Sequence, residues 1–194
     1  MGGSKDGWIW GAHLNDDTVP DTPDTRLDWA RHALADLQAE FQERTLDILQ
    51  ALREEADDVA RTYTETMLRE QRERHPSERG TIGLRTRQTT TSGPGIFQIE
   101  WYRVHAKRRT VYLKRGKGQD GRISQQYPMS NFGRLTGWEK DLIQVYEPQF
   151  ARLRTIQSHI SHIRMRFRLI DEEFDRNRHV AGHGESSDTP DKWT

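Results

Sequence analysis

Cationic side chains gather in the middle of the chain, interleaved with aromatic rings. Residues 79–118 contain ten Lys and Arg and a single acid, Glu100. Phosphates need cations and exposed bases can stack on rings, so this combination is typical of nucleic-acid recognition. The alternative is a solvated surface that only balances an acidic first helix. The side chains predicted to bind nucleic acid are Arg85, Arg87, Arg103, Lys107, Arg108, Arg109, Tyr112, Lys114, Arg115 and Lys117.

Other chemistries lack a complete set of residues. The chain has no cysteine, which excludes a disulfide framework, a thiol nucleophile and a cysteine zinc site. His159 and His162 have helical i, i+3 spacing but no carboxylate motif around them, so a polar helix face is favoured over a metal pair. Gly116-Lys117-Gly118 is too short for a phosphate-binding loop. We therefore predict no catalytic residues, no metal site, no cofactor and no enzymatic activity.

The overall composition indicates a thin core. The 30 basic and 30 acidic residues cancel, but residues 1–78 hold nine basic and 18 acidic side chains. Hydrophobic residues make up 32% of the chain, against about 45–50% in ordinary globular domains, a figure that includes glycine. Nothing approaches an apolar membrane span, and the start makes a poor signal peptide. The sequence therefore predicts a cytoplasmic protein with a long helical seam and no membrane partner.

A first long helix is predicted over residues 25–75. Thr25 and Asp28 have the spacing of a capping box, and Pro76 follows the end. Apolar positions repeat every 11 residues, which favours nearly straight packing. The predicted buried stripe is Leu34, Leu37, Phe41, Thr45, Ile48, Leu52, Ala56, Val59, Tyr63 and Met67.

A second long helix is predicted over residues 136–178. Thr136 and Glu139 form a capping box at its start, and Pro148 should kink or break it. Its steps of three and four residues have coiled-coil spacing. The predicted stripe is Leu142, Tyr146, Gln149, Leu153, Ile156, Ile160, Ile163, Phe167, Ile170 and Phe174.

Between the helices, residues 80–126 change to β-branched and aromatic residues with Gly and Pro between them. Alternation puts Trp101 and Arg103 on one face of the middle strand and Tyr102 on the other. We expect Phe97 and Trp101 in the core, with Tyr102 and Tyr112 as stacking candidates. Three antiparallel strands are predicted, with 122–126 as a fourth strand or a loop: Ile82–Thr89, Ile96–His105 and Thr110–Arg115.

The predicted fold is α+β and mostly α. A long antiparallel two-helix hairpin, coiled-coil-like, carries the small basic three-stranded meander at its tip. Residues 25–178 form a single domain, and residues 1–24 and 179–194 are disordered tails. Ion pairs join the acidic first helix to arginines of the second, Arg154 among them. A homodimer through the same seams is the alternative to pairing within one chain.

Several short motifs within residues 96–170 match a known pattern: Ile99-Glu100-Trp101-Tyr102-Arg103, Tyr127-Pro128, Trp138-Glu139, Glu147, and Phe150-Ala151-Arg152-Leu153-Arg154. This stretch resembles the MobI family of conjugative transfer proteins of integrative elements and plasmids. The first helix and the tails add nothing to the resemblance. It implies an auxiliary mobilisation factor that binds DNA at the origin of transfer, or assists a relaxase, or both. The alternative from the residues alone is a coiled-coil scaffold that binds only proteins.

Overall fold

The computed structural model describes residues 22–89, 93–105, 109–118 and 121–181. The structure is mostly helical with one small antiparallel sheet, as predicted. Short 3-10 turns at Pro76–Glu78 and Met129–Phe132 precede the sheet and the second helix. The main elements are helix α1 (Pro23–Arg72), strands β1 (Ile82–Gln88), β2 (Phe97–Val104) and β3 (Thr110–Tyr112), and helix α2 (Gly137–Ala181).

The two helix starts differ in how well the sequence predicts them. Helix α1 begins at Pro23, so Thr22 occupies the N-cap position and the predicted capping box at Thr25 is wrong. The box at α2 is confirmed: the Thr136 hydroxyl accepts a bond from the Glu139 backbone N–H at 3.4 Å, and the Glu139 carboxylate accepts one from the Thr136 N–H at 3.1 Å. Pro148 lies inside α2, and the helix continues through it without a break.

The chain divides into two compact units. One lies within residues 42–168 and contains the sheet; the described part of the other comprises residues 22–41 and 169–181. Within the smaller unit, the Arg31 guanidinium donates to the Asp175 carboxylate. This inter-helix ion pair has the opposite polarity to the predicted ones, because the cation belongs to α1 and the anion to α2.

The sheet has the order β1-β2-β3, and both pairings are antiparallel. Strand β1 pairs along nearly all of β2, with Leu84 opposite Trp101. Strand β3 is short and pairs only with residues 102–104 of β2. Among the described residues, no strand pairs with the first half of β2 on that side.

The core of the larger unit lies between one face of the sheet and both helices. Phe97 and Trp101 are buried there, as predicted, together with Tyr63 of α1 and Phe150 of α2. The Trp101 ring makes edge-to-face contacts with Tyr63 at 5.0 Å, Phe132 at 5.4 Å and Phe150 at 5.9 Å between ring centroids. Such aromatic pairs add about 0.5–1.5 kcal/mol each beyond their buried area.

The predicted stripes are only partly buried: Leu37, Ile163 and Ile170 are 42–44% exposed, and at two further points the buried position is displaced by one residue. Ile48 is 49% exposed and Leu49 is fully buried instead. On α2, Gln149 is exposed and Phe150 is fully buried. One residue rotates a helix face by about 100°. The buried face turns because both helices pack against the sheet, whereas the predicted stripes assumed that they pack mainly on each other.

The sheet packs along the sides of the helices. On α1 its contacts extend from Leu49 to Tyr63, whose hydroxyl donates to the Ile82 carbonyl at 3.1 Å. On α2 they extend from Glu139, beside Ile82, to Gln157 at the start of β2. The helices therefore run in opposite directions along the sheet, while their coiled-coil pairing stays a prediction. Neither of the described helices includes a stretch that is long and apolar enough to cross a membrane.

Candidate nucleic-acid interface

The face of the sheet opposite the core carries the paired cations. Side chains alternate along a strand, so burial of Leu84 and Trp101 turns their neighbours outward. Arg85 and Arg87 of β1 and Glu100 of β2 lie on this outer face. We call it the outer face, defined by Arg85, Arg87, Glu100, Tyr102 and Tyr112.

Two arginines share one carboxylate on the outer face. The Glu100 Oε2 atom lies 3.1 Å from Arg85 Nη2 and 3.1 Å from Arg87 Nε. The two arginine side chains are 40% and 50% exposed. Exposed ion pairs contribute only about 0–1 kcal/mol to stability. The main effect of Glu100 is therefore to hold two cations side by side, with a net charge of one positive unit.

The two tyrosines support this arrangement. The Arg85 guanidinium lies 4.2 Å from the centre of the Tyr112 ring, a cation–π contact, and Tyr112 meets Tyr102 edge-to-face at 6.1 Å. Tyr102 rests on Gly83, where an added Cβ would lie 2.3 Å from the ring. One face of Tyr112 is thus occupied by Arg85. Tyr112 holds a cation in place and leaves only its other face for stacking.

The other predicted cations are more dispersed. Arg109, Lys114 and Lys117 are exposed. Arg115 is half-buried, and its guanidinium donates to the Gln125 side chain at 3.0 Å. Lys107 and Arg108 lie outside the described residues.

Arg103 has a structural contact instead of an open position. Its guanidinium donates to the carbonyl oxygens of Phe132 and Arg134, and the bonds to Arg134 are 3.1 and 3.2 Å long. Arg103 therefore holds the turn before α2 and is turned away from the outer face. Strand alternation contained this signal, because it places Arg103 on the same face as buried Trp101.

A buried polar network lies beneath the sheet. Glu147 is 2% exposed, and its carboxylate accepts bonds from Trp101 Nε1 at 2.6 Å, from the Tyr127 backbone N–H at 2.7 Å and from the Arg154 guanidinium. Arg154 is 5% exposed and also donates to the Gln125 carbonyl at 2.6 Å. The predicted pairing of Arg154 with the acidic first helix is wrong: its partner lies two turns earlier on the same helix.

Burial shifts the pKa values around this network. Desolvation lowers the pKa of the Arg154 guanidinium, and the neighbouring Glu147 carboxylate opposes that change. Desolvation also raises the pKa of the Tyr127 and Tyr63 hydroxyls. Both phenols are therefore neutral at physiological pH, and the network is suited to holding structure.

Glu139 ties the start of α2 to the start of β1. Its Oε1 atom accepts bonds from the backbone N–H groups of Thr81 at 2.5 Å and Ile82 at 3.1 Å, while Oε2 accepts from Thr136. An added Cβ at Gly80 would lie 2.6 Å from the same carboxylate. The capping glutamate thus also terminates the sheet.

The segment predicted as a fourth strand or a loop, residues 122–126, is a loop with one isolated bridge, and sequence reasoning missed its pairing with residues 116–118 in a small hairpin beside the sheet. The Gly118 N–H donates to the Arg122 carbonyl at 2.7 Å, and the Ser124 N–H to the Gly116 carbonyl at 2.8 Å. Lys117 and Ile123 form an isolated antiparallel bridge, and Ile123 is 61% exposed. The available signal was the closely spaced glycines, since Gly121 adopts a φ of 75° that other residues rarely reach. Across the part of the chain that the structure describes, no three His, Asp or Glu side chains converge to hold a metal ion.

These features define an α+β protein in which both long helices pack on one face of a small sheet whose other face is cationic. A family model described as MobI protein matches residues 52–168, which is more than half of the chain, and the chain belongs to the MobI family. Membership links it to mobilisation in conjugative transfer. No curated protein and no solved structure matches the chain.

The family match begins within α1, so the expectation that the first helix adds nothing to the resemblance is wrong. The matched region contains the sheet and the segments of both helices that pack on it. Several residues that carry the resemblance, Trp101, Tyr127, Glu147 and Arg154, meet in the buried network. The residues that carry the family resemblance therefore lie mostly in the interior of the protein, and fewer of them lie on its surface.

Proposed function

We propose that the chain is a non-enzymatic auxiliary factor in conjugative DNA transfer, which binds DNA at or near the origin of transfer, assists the relaxase, or does both. Nicking of the DNA would belong to the relaxase. The observation that carries the DNA-binding part is the outer face, where cations stand in a fixed arrangement within the region that matches the family.

The distribution of charge favours the outer face as the DNA-binding surface. Glu100 is the only acid in residues 79–118, and it already holds Arg85 and Arg87. Phosphate contacts supply most of the sequence-independent affinity of DNA-binding proteins, and each contact releases counterions. Because Glu100 fixes the two guanidinium groups beforehand, less side-chain entropy is lost when they meet a phosphate backbone.

The geometry also supports a mode of approach. A two-stranded β ribbon fits the major groove of B-DNA, and several DNA-binding proteins read it with strands. The outer face presents β1 and β2 with their cations toward solvent, while the helices lie on the other side. Bound DNA would therefore meet the sheet without contacting the core.

The test is a titration of fluorescent duplex DNA at two salt concentrations. The double variant Arg87→Gln, Arg109→Gln should weaken binding and flatten its salt dependence by about two charges, since log K changes by about 0.9 per phosphate contact for each decade of salt. The matched control, Arg44→Gln with Arg61→Gln, removes two exposed cations of α1 and should change neither quantity. Equal effects of the two double variants would reject both Arg87 of the outer face and Arg109 before β3 as DNA contacts.

The second candidate is a scaffold that binds only proteins. Leu46 and Ile48 of α1 and Ile163 and Met165 of α2 are 43–49% exposed within the larger unit. Such apolar side chains suit a partner helix or a second copy of the chain through the helical seams. A dimer in light scattering, combined with no DNA binding at low salt, would select this candidate.

A further inference from the structure

Two adjacent cavities lie to one side of the sheet in the larger unit. The first, of about 530 Å³, lies between the unpaired half of β2, the chain after β3 and α2. The second, of about 640 Å³, lies between the small hairpin and α2. Ile123, Gln125 and Ser158 line both cavities, so we describe the two together as the paired groove.

The paired groove has fixed cations in both of its cavities, Lys114 and Arg115 in the first and Arg122 in the second. His159 and His162 also line the second cavity, and no acid is among the described residues around it. The carboxylate of the first cavity is Glu100, which already holds two arginines on the outer face. An extended anion therefore suits the groove better than a single charged group.

The lining of the first cavity also includes a hydrogen-bond acceptor that lacks a donor. The side-chain oxygen of Gln98 is buried and has no donor among the residues that the structure describes, and Gln98 lines this cavity. A buried acceptor without a partner costs free energy, so a rotation of the Gln98 side chain toward the cavity, where the N–H group of a ligand can reach its oxygen, would be favourable. Phosphate and carboxylate groups carry no such donor. Nucleotides combine a phosphate with the amino groups of their bases.

Both cavities are partly open to solvent, and only an unpaired strand can turn its bases into such a cleft, because a duplex keeps them stacked and paired. The exposed Ile123 stands where the two cavities meet, and apolar side chains of this kind pack against unstacked bases. We infer that the paired groove binds a segment of single-stranded DNA, as a second nucleic-acid site that adjoins the outer face at Glu100. The choice of DNA over an acidic peptide rests on the proposed function.

The test compares a fluorescent 15-nucleotide single strand with the matching duplex. Ser158→Trp fills the point where the cavities meet, and Ser158→Asp places a negative charge there with little change in size. Both variants should weaken single-strand binding by about tenfold, the effect of losing one bound base, and change duplex binding by less than about twofold. Gln144→Trp, at an exposed position of α2 outside both cavities, is the matched control and should change neither.

Circular dichroism shows whether each variant is folded. If the Ser158→Trp variant does not fold, the inference is tested with Ser158→Asp alone. Unchanged single-strand binding in a folded Ser158→Asp variant overturns the inference. So does displacement of the strand by polyglutamate but not by oligo(dT), which marks the groove as a protein site. Wild-type binding to duplex alone overturns the groove and leaves the proposed function standing. Single-strand binding that depends on Ser158, without duplex binding, supports the groove and rejects the outer face.

Discussion

At the scale of single residues, the charged side chains of this protein perform two different tasks. Arg85 and Arg87 remain exposed at the surface and share Glu100, while Arg154 and Glu147 are almost fully enclosed. The sequence does not separate these groups, because charged residues are expected outside. Only the contacts reveal that one arginine belongs to the core and that the others can meet a ligand.

The buried pair gives the first stability prediction. Glu147→Gln should lower the free energy of unfolding by about 3–5 kcal/mol, because it leaves the enclosed Arg154 charge without its anion. The measurement is urea denaturation. Glu173→Gln, which breaks the exposed pair with Arg176, is the control and should cost less than about 1 kcal/mol. Equal losses in the two variants would mean that the buried charge is solvated after all.

At the scale of elements, the sequence predicts correctly those features that a few neighbouring residues determine. The Thr136 capping box is confirmed because four consecutive residues define it. The displacement from Ile48 to Leu49 arises because a helix pattern does not say which element will cover the helix. The described residues of the small hairpin, 116–118 and 121–124, contain one bridge, which is too short for a strand pattern. Arg103 shows that site residues chosen by charge alone include some that hold the fold together.

The open half of β2 is closed by a helix side chain. The Gln157 amide donates to the Phe97 carbonyl at 2.9 Å and accepts from the Phe97 N–H at 3.3 Å, the two bonds that a neighbouring strand would make. Open strand edges promote association between chains. The Gln157 side chain thus makes the two hydrogen bonds that a longer β3 would make with Phe97.

Gln157→Leu should therefore lower the free energy of unfolding by about 1–3 kcal/mol and increase concentration-dependent association, because both backbone groups of Phe97 lose their partners. Urea denaturation and light scattering measure the two effects. Gln144→Leu, at an exposed position of the same helix, should produce neither. A monomeric Gln157→Leu protein of unchanged stability would show that water satisfies this edge equally well.

At the scale of the whole molecule, the proposed function makes the chain an accessory to the relaxase. We expect the purified chain alone to leave an origin-containing plasmid intact, and to increase nicking when the relaxase of the same element is added. The measurement is the conversion of supercoiled to open-circular DNA. The Arg87→Gln, Arg109→Gln variant should stimulate less, because it binds the DNA more weakly. If the variant stimulates nicking as much as the wild-type chain does, the stimulation arises from contacts with the relaxase and not from contacts with DNA.

The contact between Gly83 and Tyr102 has a consequence for genetics. Tyr102 touches Tyr112, and Tyr112 lies under Arg85, so the contacts cross the sheet and return to β1 two residues after Gly83. A methyl group at residue 83 would push the first ring away and shift the others with it. A Gly83→Ala allele, which alters no charge, can therefore impair transfer in the same way as an allele that removes Arg85. Its sequence alone would not show that the position of an arginine has changed.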